Sequence, residues 1–252
     1  MLTMRDHGVE DYEAIRDMDA TDVGELREDD RACLEELGQY LVSTDAWQRF
    51  GIWLLHKHFE PDPGEIFVER TIRAPRGTET APVMRSAFPE QGLSTTAIRF
   101  DDSISSDVGV IGMEFAEPDD FGDTEPLSDD DEEVLAGVVE RLQVHDKIQR
   151  FGVRLIRNPL ELSEHELLHE TCDTAGRTLH CTVGERDGLL ADQNIIQTAW
   201  KWRVVQGGSE TIVMQDCTAG CVRVGEGHDI AHTASGTDDH DNPTEGEPNE
   251  PF

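Results

Sequence analysis

The sequence is poor in basic residues and has no long apolar run. Its 252 residues include 54 Asp and Glu but only 21 Lys and Arg, which gives a formal net charge of −33. Nucleic acids and anionic membrane surfaces are bound through clustered Lys and Arg, so neither is an expected partner. No stretch approaches the roughly 20 apolar residues of a membrane span, and residues 1–10 lack the apolar core of a secretory signal. We therefore expect a cytoplasmic protein.

Lysine is the scarcest charged residue, since only Lys57, Lys147 and Lys201 occur and every other basic residue is Arg. Low lysine content, abundant carboxylates and a pI near 4.4 resemble the composition of proteins from halophilic archaea that accumulate salt. At molar salt the Debye length falls to about 3 Å, so repulsion between surface carboxylates is largely screened. The charge then predicts a hydrated, halophilic surface, and an acidic face directed at a basic partner is the alternative interpretation.

Two stretches of the chain repeat each other at an offset of 101 residues. WQRFGIWLLHKHF at residues 47–59 matches IQRFGVRLIRNPL at residues 148–160. Without a gap, the same offset pairs Glu65 with Glu166 and Glu69 with Glu170. A run of matches at one spacing predicts an internal duplication into two homologous modules.

Each module is predicted to be one helix followed by a mainly antiparallel sheet of about five strands, which is an α+β fold. The helices are indicated by apolar residues three and four positions apart at 34–41 and at 135–142. The predicted segments are an acidic N-terminal segment (1–25), module one (26–115), an acidic linker (116–126), module two (127–232) and a disordered acidic tail (233–252).

Two groups of residues have the spacing of metal ligands. His56 and His58 end the first core strand, where alternation of side chains predicts that both share a face with Leu54. Module two has Arg157 and Pro159 at the equivalent positions but carries the pattern C-x3-C-x6-H-x3-H. The residues of that pattern are Cys217, Cys221, His228 and His232. Imidazole and thiolate groups are zinc ligands, so zinc is the expected cofactor.

Each module has only one of these two groups, so we expect both groups to combine into one composite site between the modules. The alternative is a hydrogen-bonded pair of histidines at a strand end and two reduced cysteines in a turn, without a metal ion.

The stretch around His56 and His58 resembles a known family. The residues RFGIWLLHKHF followed by GEIFVER resemble an uncharacterised family of bacteria and fungi. Its members look like single modules with an RFG-x-x-LLHKHF strand, a following acidic residue and a late Cys/His cluster. The match covers residues 48–70 and, more loosely, 217–232. The family has no assigned activity, so the resemblance implies a shared site but no reaction, and this chain departs from it by carrying the two signatures in different copies.

A second motif predicts a different site. His165, Glu166 and His169 fit the pattern HExxH, in which two His on one helix face bind zinc and the Glu acts as a general base. Ser163 and Glu166 would form the capping box of that helix. The repeat argues against this metallopeptidase alternative, because the equivalent residues 64–68 are rich in strand formers. On a strand the two His would lie about 13 Å apart, too far for one zinc ion.

Two functional classes remain open for the metal site. In the first, an enzyme uses the ion as a Lewis acid or as a source of hydroxide, with Glu65 or Glu69 near the first His pair as general base. In the second, a non-catalytic interaction protein uses zinc only to stabilise its C-terminal segment. A catalytic site keeps an open coordination position in a cleft, whereas a structural site has four protein ligands. The sequence does not determine reaction, substrate or oligomeric state.

Overall fold

One sheet, built from both halves of the chain, dominates the structure. The computed structural model describes residues 3–15, 26–89, 92–101, 109–122, 124–192, 195–207 and 210–222. The strands are β1 (Thr3–Asp6), β2 (Phe50–Leu54), β3 (Glu65–Arg73), β4 (Arg76–Met84), β5 (Ser94–Phe100), β6 (Gly109–Ala116), β7 (Phe151–Leu155), β8 (Glu166–Asp173), β9 (Thr178–Glu185), β10 (Ile195–Gly207) and β11 (Glu210–Val222). The helices are α1 (Val9–Glu13), α2 (Glu28–Ser43), α3 (Pro118–Phe121), α4 (Glu132–Val144) and α5 (Arg186–Ala191). The fold is mixed α+β, as predicted.

The sheet closes on itself. Its strand order is β1-β6-β3-β4-β9-β8-β11-β10-β2-β7-β5, and β5 also pairs with β6. Strands β2–β11 therefore form a closed barrel of ten strands, with β1 added in parallel beside β6. Each half contributes five strands, but the expectation that each half builds its own sheet is wrong. Four pairings join the halves, namely β2 with β7, β2 with β10, β5 with β7 and β4 with β9. Closure removes the open edges that two separate sheets would expose.

The helices α2 and α4 cover the barrel wall from outside. Their predicted apolar faces are buried, at Leu34, Leu37, Leu41, Leu135, Val138 and Leu142. Phe50, Ile52 and Leu54 of β2 belong to the same apolar cluster as these helix residues. Trp53, on the opposite face of β2, belongs to a second cluster that includes Phe67. Because side chains alternate along a strand and the helices lie outside, this second cluster lies inside the barrel.

Replacing Leu37 with Ala should lower the free energy of unfolding by about 2–5 kcal/mol. The side chain is fully buried in the cluster between α2 and the barrel, so its truncation loses apolar burial and leaves a cavity. The substitution Val144→Ala, at a residue that is 74% exposed, should change the free energy by less than about 0.5 kcal/mol. Denaturant titration in high salt measures the free energy of unfolding of both variants. Equal losses in the two would contradict the burial of Leu37 between α2 and the barrel.

Segments outside the two repeats also contain structure. The N-terminal segment carries β1 and α1, and its Tyr12 and Ile15 are buried. The acidic segment 116–126, expected to be a linker, contains α3, whose Phe121 is 4% exposed and packs in the same cluster as the helices α2 and α4. The acidic tail 233–252 lies outside the described residues. Within the described ranges, every helix is too short or too polar to cross a membrane.

Candidate metal centre

His56 and His58 lie in the segment that follows β2 at one end of the barrel. The strand ends at Leu54, so the alternation expected to place both histidines on the face of Leu54 does not continue to them. Leu54 packs with the outer helices, whereas His56 and His58 line an internal cavity together with Trp53. The centroids of the two imidazole rings are 4.7 Å apart, and the ring planes make an angle of 68°.

Two further donors come from neighbouring strands of the second half. Glu170 on β8 and Cys221 on β11 are register partners in a parallel pair, so their side chains lie on the same face. On its other side, Cys221 is opposite Ile196 of β10, and β10 pairs in turn with β2. This order of strands brings the segment after β2 next to β8 and β11.

The four side chains converge at one point. One donor atom each from His56, His58, Glu170 and Cys221 lies within 4.8 Å of the other three. His58 is half-buried and the other three residues are buried. Zinc bonds of about 2.0–2.3 Å place ligand atoms within about 4 Å of each other, so small side-chain rotations would close this group around one ion. Of the residues expected to bind metal, the structure therefore brings together His56, His58 and Cys221.

Hydrogen bonds orient His56 and Glu170. Nδ1 of His56 lies 2.8 Å from the carbonyl oxygen of Leu54. A carbonyl only accepts, so Nδ1 donates, and Nε2 is the ring nitrogen that would face a metal ion. This Nε2 is 3.6 Å from Oε2 of Glu170, which also accepts a hydrogen bond from Oγ1 of Thr198 at 3.1 Å. Burial alone would raise the pKa of Glu170, but the contact with His56 and the charge of Arg154 bring that pKa below its ordinary value.

A small cavity of about 30 Å³ adjoins this group inside the barrel, which is room for one or two water molecules. His56, His58 and Glu170 form one part of its wall. The remaining wall is largely apolar and includes Tyr12, Trp53, Phe59, Phe67 and Leu179, with Thr80, Glu114 and Arg154 as its further polar residues.

The other expected metal ligands do not join this group. Cys217 is buried on β11, but it lies four strand residues before Cys221, a separation of about 13 Å. Its Sγ donates to the carbonyl oxygen of Ala219 at 3.1 Å, and burial raises its pKa to about 12. His228 and His232 lie outside the described residues.

The two expected general bases have other partners. Glu65 accepts a hydrogen bond from Nη2 of Arg177 at 2.6 Å. Glu69 is buried and forms ion pairs with Arg154 at 3.2 Å and with Arg157 at 2.5 Å. Burial alone would raise the pKa of Glu69, but the two guanidinium groups lower it. A carboxylate held by two cations is a weak base, so this arrangement does not favour catalysis by Glu69.

His165, Glu166 and His169 do not form the helix of a metallopeptidase. Residues 166–173 form β8, in agreement with the extended conformation that the repeat predicts. The backbone N–H of Ser163 does donate to Oε2 of Glu166 at 2.9 Å, as in a capping box, but a strand follows it. Oε1 of Glu166 is held by Arg76 at 2.8 Å. His165 lies in the turn before β8 and His169 lies within the strand, so the two do not share a helix face and the HExxH alternative is wrong in its geometry.

From the sequence, the carboxylate expected near the His pair is Glu65 or Glu69, acting as a general base, because both residues follow the pair in the same half. The barrel instead places β2 beside strands of the other half, so Glu170, the counterpart of Glu69 at the 101-residue offset, faces His56. The repeat marks Glu170 as equivalent to Glu69, but which of the two meets the histidines is decided by strand order.

Comparisons with known proteins do not identify a family. No family model matches this sequence, and no curated protein or solved structure gives a significant match. The interpretation of the site therefore rests on its own geometry.

Proposed function

We propose that the protein binds one divalent transition-metal ion, preferentially zinc, through His56, His58, Glu170 and Cys221. The observation that carries this proposal is the convergence of four donor atoms within 4.8 Å from residues far apart in the sequence. Burying imidazole, carboxylate and thiol groups costs desolvation free energy unless their polar atoms are satisfied. A metal ion at the centre of the group would coordinate all four donors at once.

The donor set favours zinc over other common ions. Two imidazole nitrogens, one carboxylate oxygen and one thiolate sulfur are the ligand types found at zinc sites. Magnesium and calcium prefer oxygen ligands alone, and Cu(I) prefers sulfur. Cobalt(II) accepts the same tetrahedral set as zinc and can serve as its spectroscopic substitute.

The charges inside the barrel also favour a dication. The carboxyl groups of Glu69, Glu114 and Glu170 are buried, and the guanidinium groups of Arg154 and Arg157 are their cationic neighbours. With all three carboxylates ionised, this set carries one net negative charge, and loss of the thiol proton on metal binding adds a second. Burial and the nearby carboxylates raise the pKa of Glu114, an effect that a bound dication would offset.

We further propose that the chain is a tandem duplication that keeps a metal site at only one of two equivalent places. Several ion pairs recur reciprocally at the 101-residue offset. They are Arg49–Asp131 with Arg150–Asp30, and Arg76–Glu166 with Arg177–Glu65. Where Glu170 faces His56, its counterpart Glu69 faces Arg157, the residue equivalent to His56. Next to Glu69, the guanidinium of Arg157 thus supplies a positive charge. Next to Glu170, we assign the corresponding positive charge to the metal ion.

A structural zinc ion in a non-catalytic protein is the second candidate function. It is favoured by the number of protein donors, since four ligands can complete a tetrahedral shell. A metal-dependent enzyme is favoured by the cavity, because three of the four donors form part of its wall. Both candidates require the same ion.

Metal analysis of the untagged protein, purified in molar KCl without chelator, tests the site itself. We expect about one zinc-class ion per chain, and re-uptake of one Zn²⁺ or Co²⁺ after chelation, because four donors converge on one point. Removal of the ion should lower the thermal unfolding midpoint, since binding to the folded state stabilises it. A folded protein that contains no transition metal and takes up neither ion would overturn the proposal.

A further inference from the structure

A second cavity lies at the place that the 101-residue offset makes equivalent to the proposed metal site. Its wall contains Glu69 and Arg157. These residues are the counterparts of Glu170 and His56, which lie in the wall of the first cavity. The volume of the second cavity is about 140 Å³, against about 30 Å³ for the first. Because a cavity of about 150 Å³ can hold a benzene molecule, this one has room for a ligand of about six non-hydrogen atoms.

Two buried polar groups in this wall have hydrogen-bonding capacity that the protein does not use. The side chain of Arg157 is 5% exposed, and its Nη atoms donate to Glu69 and to the carbonyl oxygen of Asp120. Its Nε has no hydrogen-bond partner among the residues that the structure describes. The hydroxyl of Thr78 on β4 is also buried without a partner in the described ranges. Unsatisfied buried donors cost free energy, so both groups favour an acceptor inside the cavity.

The charges around the cavity favour an anionic acceptor. Its wall carries three cationic side chains and one carboxylate, namely Arg154, Arg157, Lys201 and Glu69. Glu114, which is 2.9 Å from Arg154, reduces the net charge of this set to one positive charge when it is ionised. Glu170 lies in the wall of the first cavity instead. An anion that accepts from a guanidinium group forms a charge-assisted hydrogen bond, which is stronger than a neutral one.

Most of the remaining wall is apolar. It includes Leu155, Leu160, Leu162, Leu168 and Trp200. Leu155, Leu160 and Trp200 are at most 6% exposed, whereas Lys201 is exposed and marks the mouth of the cavity. A ligand with a hydrocarbon body gains free energy by contact with such a wall, and an inorganic anion does not.

We propose that this second cavity binds a small aliphatic monocarboxylate of about four or five carbon atoms. Arg157 and Thr78 hold its carboxylate group, and its hydrocarbon chain packs against the leucine side chains. This site lies beyond the proposed metal site and does not require the ion.

Titration calorimetry in molar KCl tests the ligand class with acetate, butyrate, butyramide and octanoate. We expect butyrate to bind about tenfold or more tightly than acetate, because its two additional methylene groups are buried. Butyramide has nearly the same shape as butyrate but no charge, so it should bind at least about tenfold more weakly than butyrate. Octanoate exceeds the volume of the cavity and should also bind more weakly than butyrate.

The variant Thr78→Val separates ligand binding from folding. It removes a hydroxyl that has no partner in the described part of the protein, so the thermal unfolding midpoint of the ligand-free protein should not fall. The affinity for butyrate should fall by about fivefold or more, because the hydroxyl donates to the carboxylate. Thr71→Val is the matched control, since the hydroxyl of Thr71 is likewise buried without a described partner but lies outside the cavity wall. Its affinity for butyrate should stay within about twofold of the original value.

The results that would overturn this proposal are distinct from those that concern the metal site. Absence of butyrate binding to the folded protein, or equal binding of butyrate and butyramide, overturns it. Equal affinities for acetate and butyrate reduce the cavity to the binding of an adventitious ion only, which excludes the aliphatic ligand. Equal loss of butyrate affinity in Thr78→Val and Thr71→Val contradicts the placement of the carboxylate in this cavity. All of these results are independent of how many metal ions the protein contains.

Discussion

Replacing Cys221 with Ser should weaken metal binding by about 100-fold or more, because loss of a ligand exceeds the 10- to 100-fold effect of disturbing its outer-shell partners. The same substitution at Cys217 should leave the affinity within about threefold of the original value. Both cysteines are buried on β11, but only Cys221 lies opposite Glu170 and within reach of the histidines. Competition with a chromophoric chelator measures the two dissociation constants.

The pair of cysteine variants separates ligand loss from damage to the fold. In the Co²⁺ form, the sulfur-to-metal charge-transfer band should disappear in Cys221→Ser and persist in Cys217→Ser. Both variants should remain folded by circular dichroism in high salt. Equal loss of affinity in the two variants, or persistence of the band without Cys221, would contradict the assignment of this residue as a ligand.

A second metal site should appear when the other half of the barrel receives the missing donors. Glu69 and Ala116 are register partners of β3 and β6, just as Glu170 and Cys221 are partners of β8 and β11. The triple variant Ala116→Cys, Arg157→His, Pro159→His would reproduce the donor set of the first site around Glu69. We expect the metal content to rise from about one to about two ions per chain, since four donors then converge at each place.

The variant Arg157→His alone is the matched control for this gain. It removes the guanidinium that pairs with Glu69 at 2.5 Å but supplies only one new donor, so its metal content should stay at about one. Metal analysis together with cobalt spectra distinguishes a new site from loose binding. A folded triple variant that still binds one ion would refute the equivalence of the two places.

Several features of the fold could be predicted from residue order alone. The apolar positions at 34–41 and 135–142 predict helices with one buried face, and these positions are buried in α2 and α4. The match between residues 64–68 and 165–169 predicts an extended conformation for both, and β3 and β8 confirm it for residues 65–68 and 166–169, while Gly64 and His165 lie in the turns before these strands. These predictions succeed because side-chain periodicity and local backbone preference act within a few residues.

Closure of the sheet could not be predicted in this way. Which strand lies beside β2 depends on pairing between residues about 100–150 positions apart. Every strand presents the same backbone donors and acceptors, so these groups do not specify which strands pair. The sheet joins β2 to β7 and β10 of the second half. For the same reason, the sequence alone expects Glu65 or Glu69 beside the His pair and does not place Glu170 there.

By itself, the sequence determined the acidic character of the chain, its mixed α+β class, and His56, His58 and Cys221 as potential ligands, since all of these depend on residue type and local spacing. Tertiary structure alone decided that Glu170 completes the group and that Cys217 lies apart from it. The physical reason is register: a parallel pairing sets Glu170 opposite Cys221, whereas Cys217 lies four residues earlier on β11. Side chains on one face of adjacent strands meet only when the pairing aligns them, and that alignment is a property of the closed barrel as a whole.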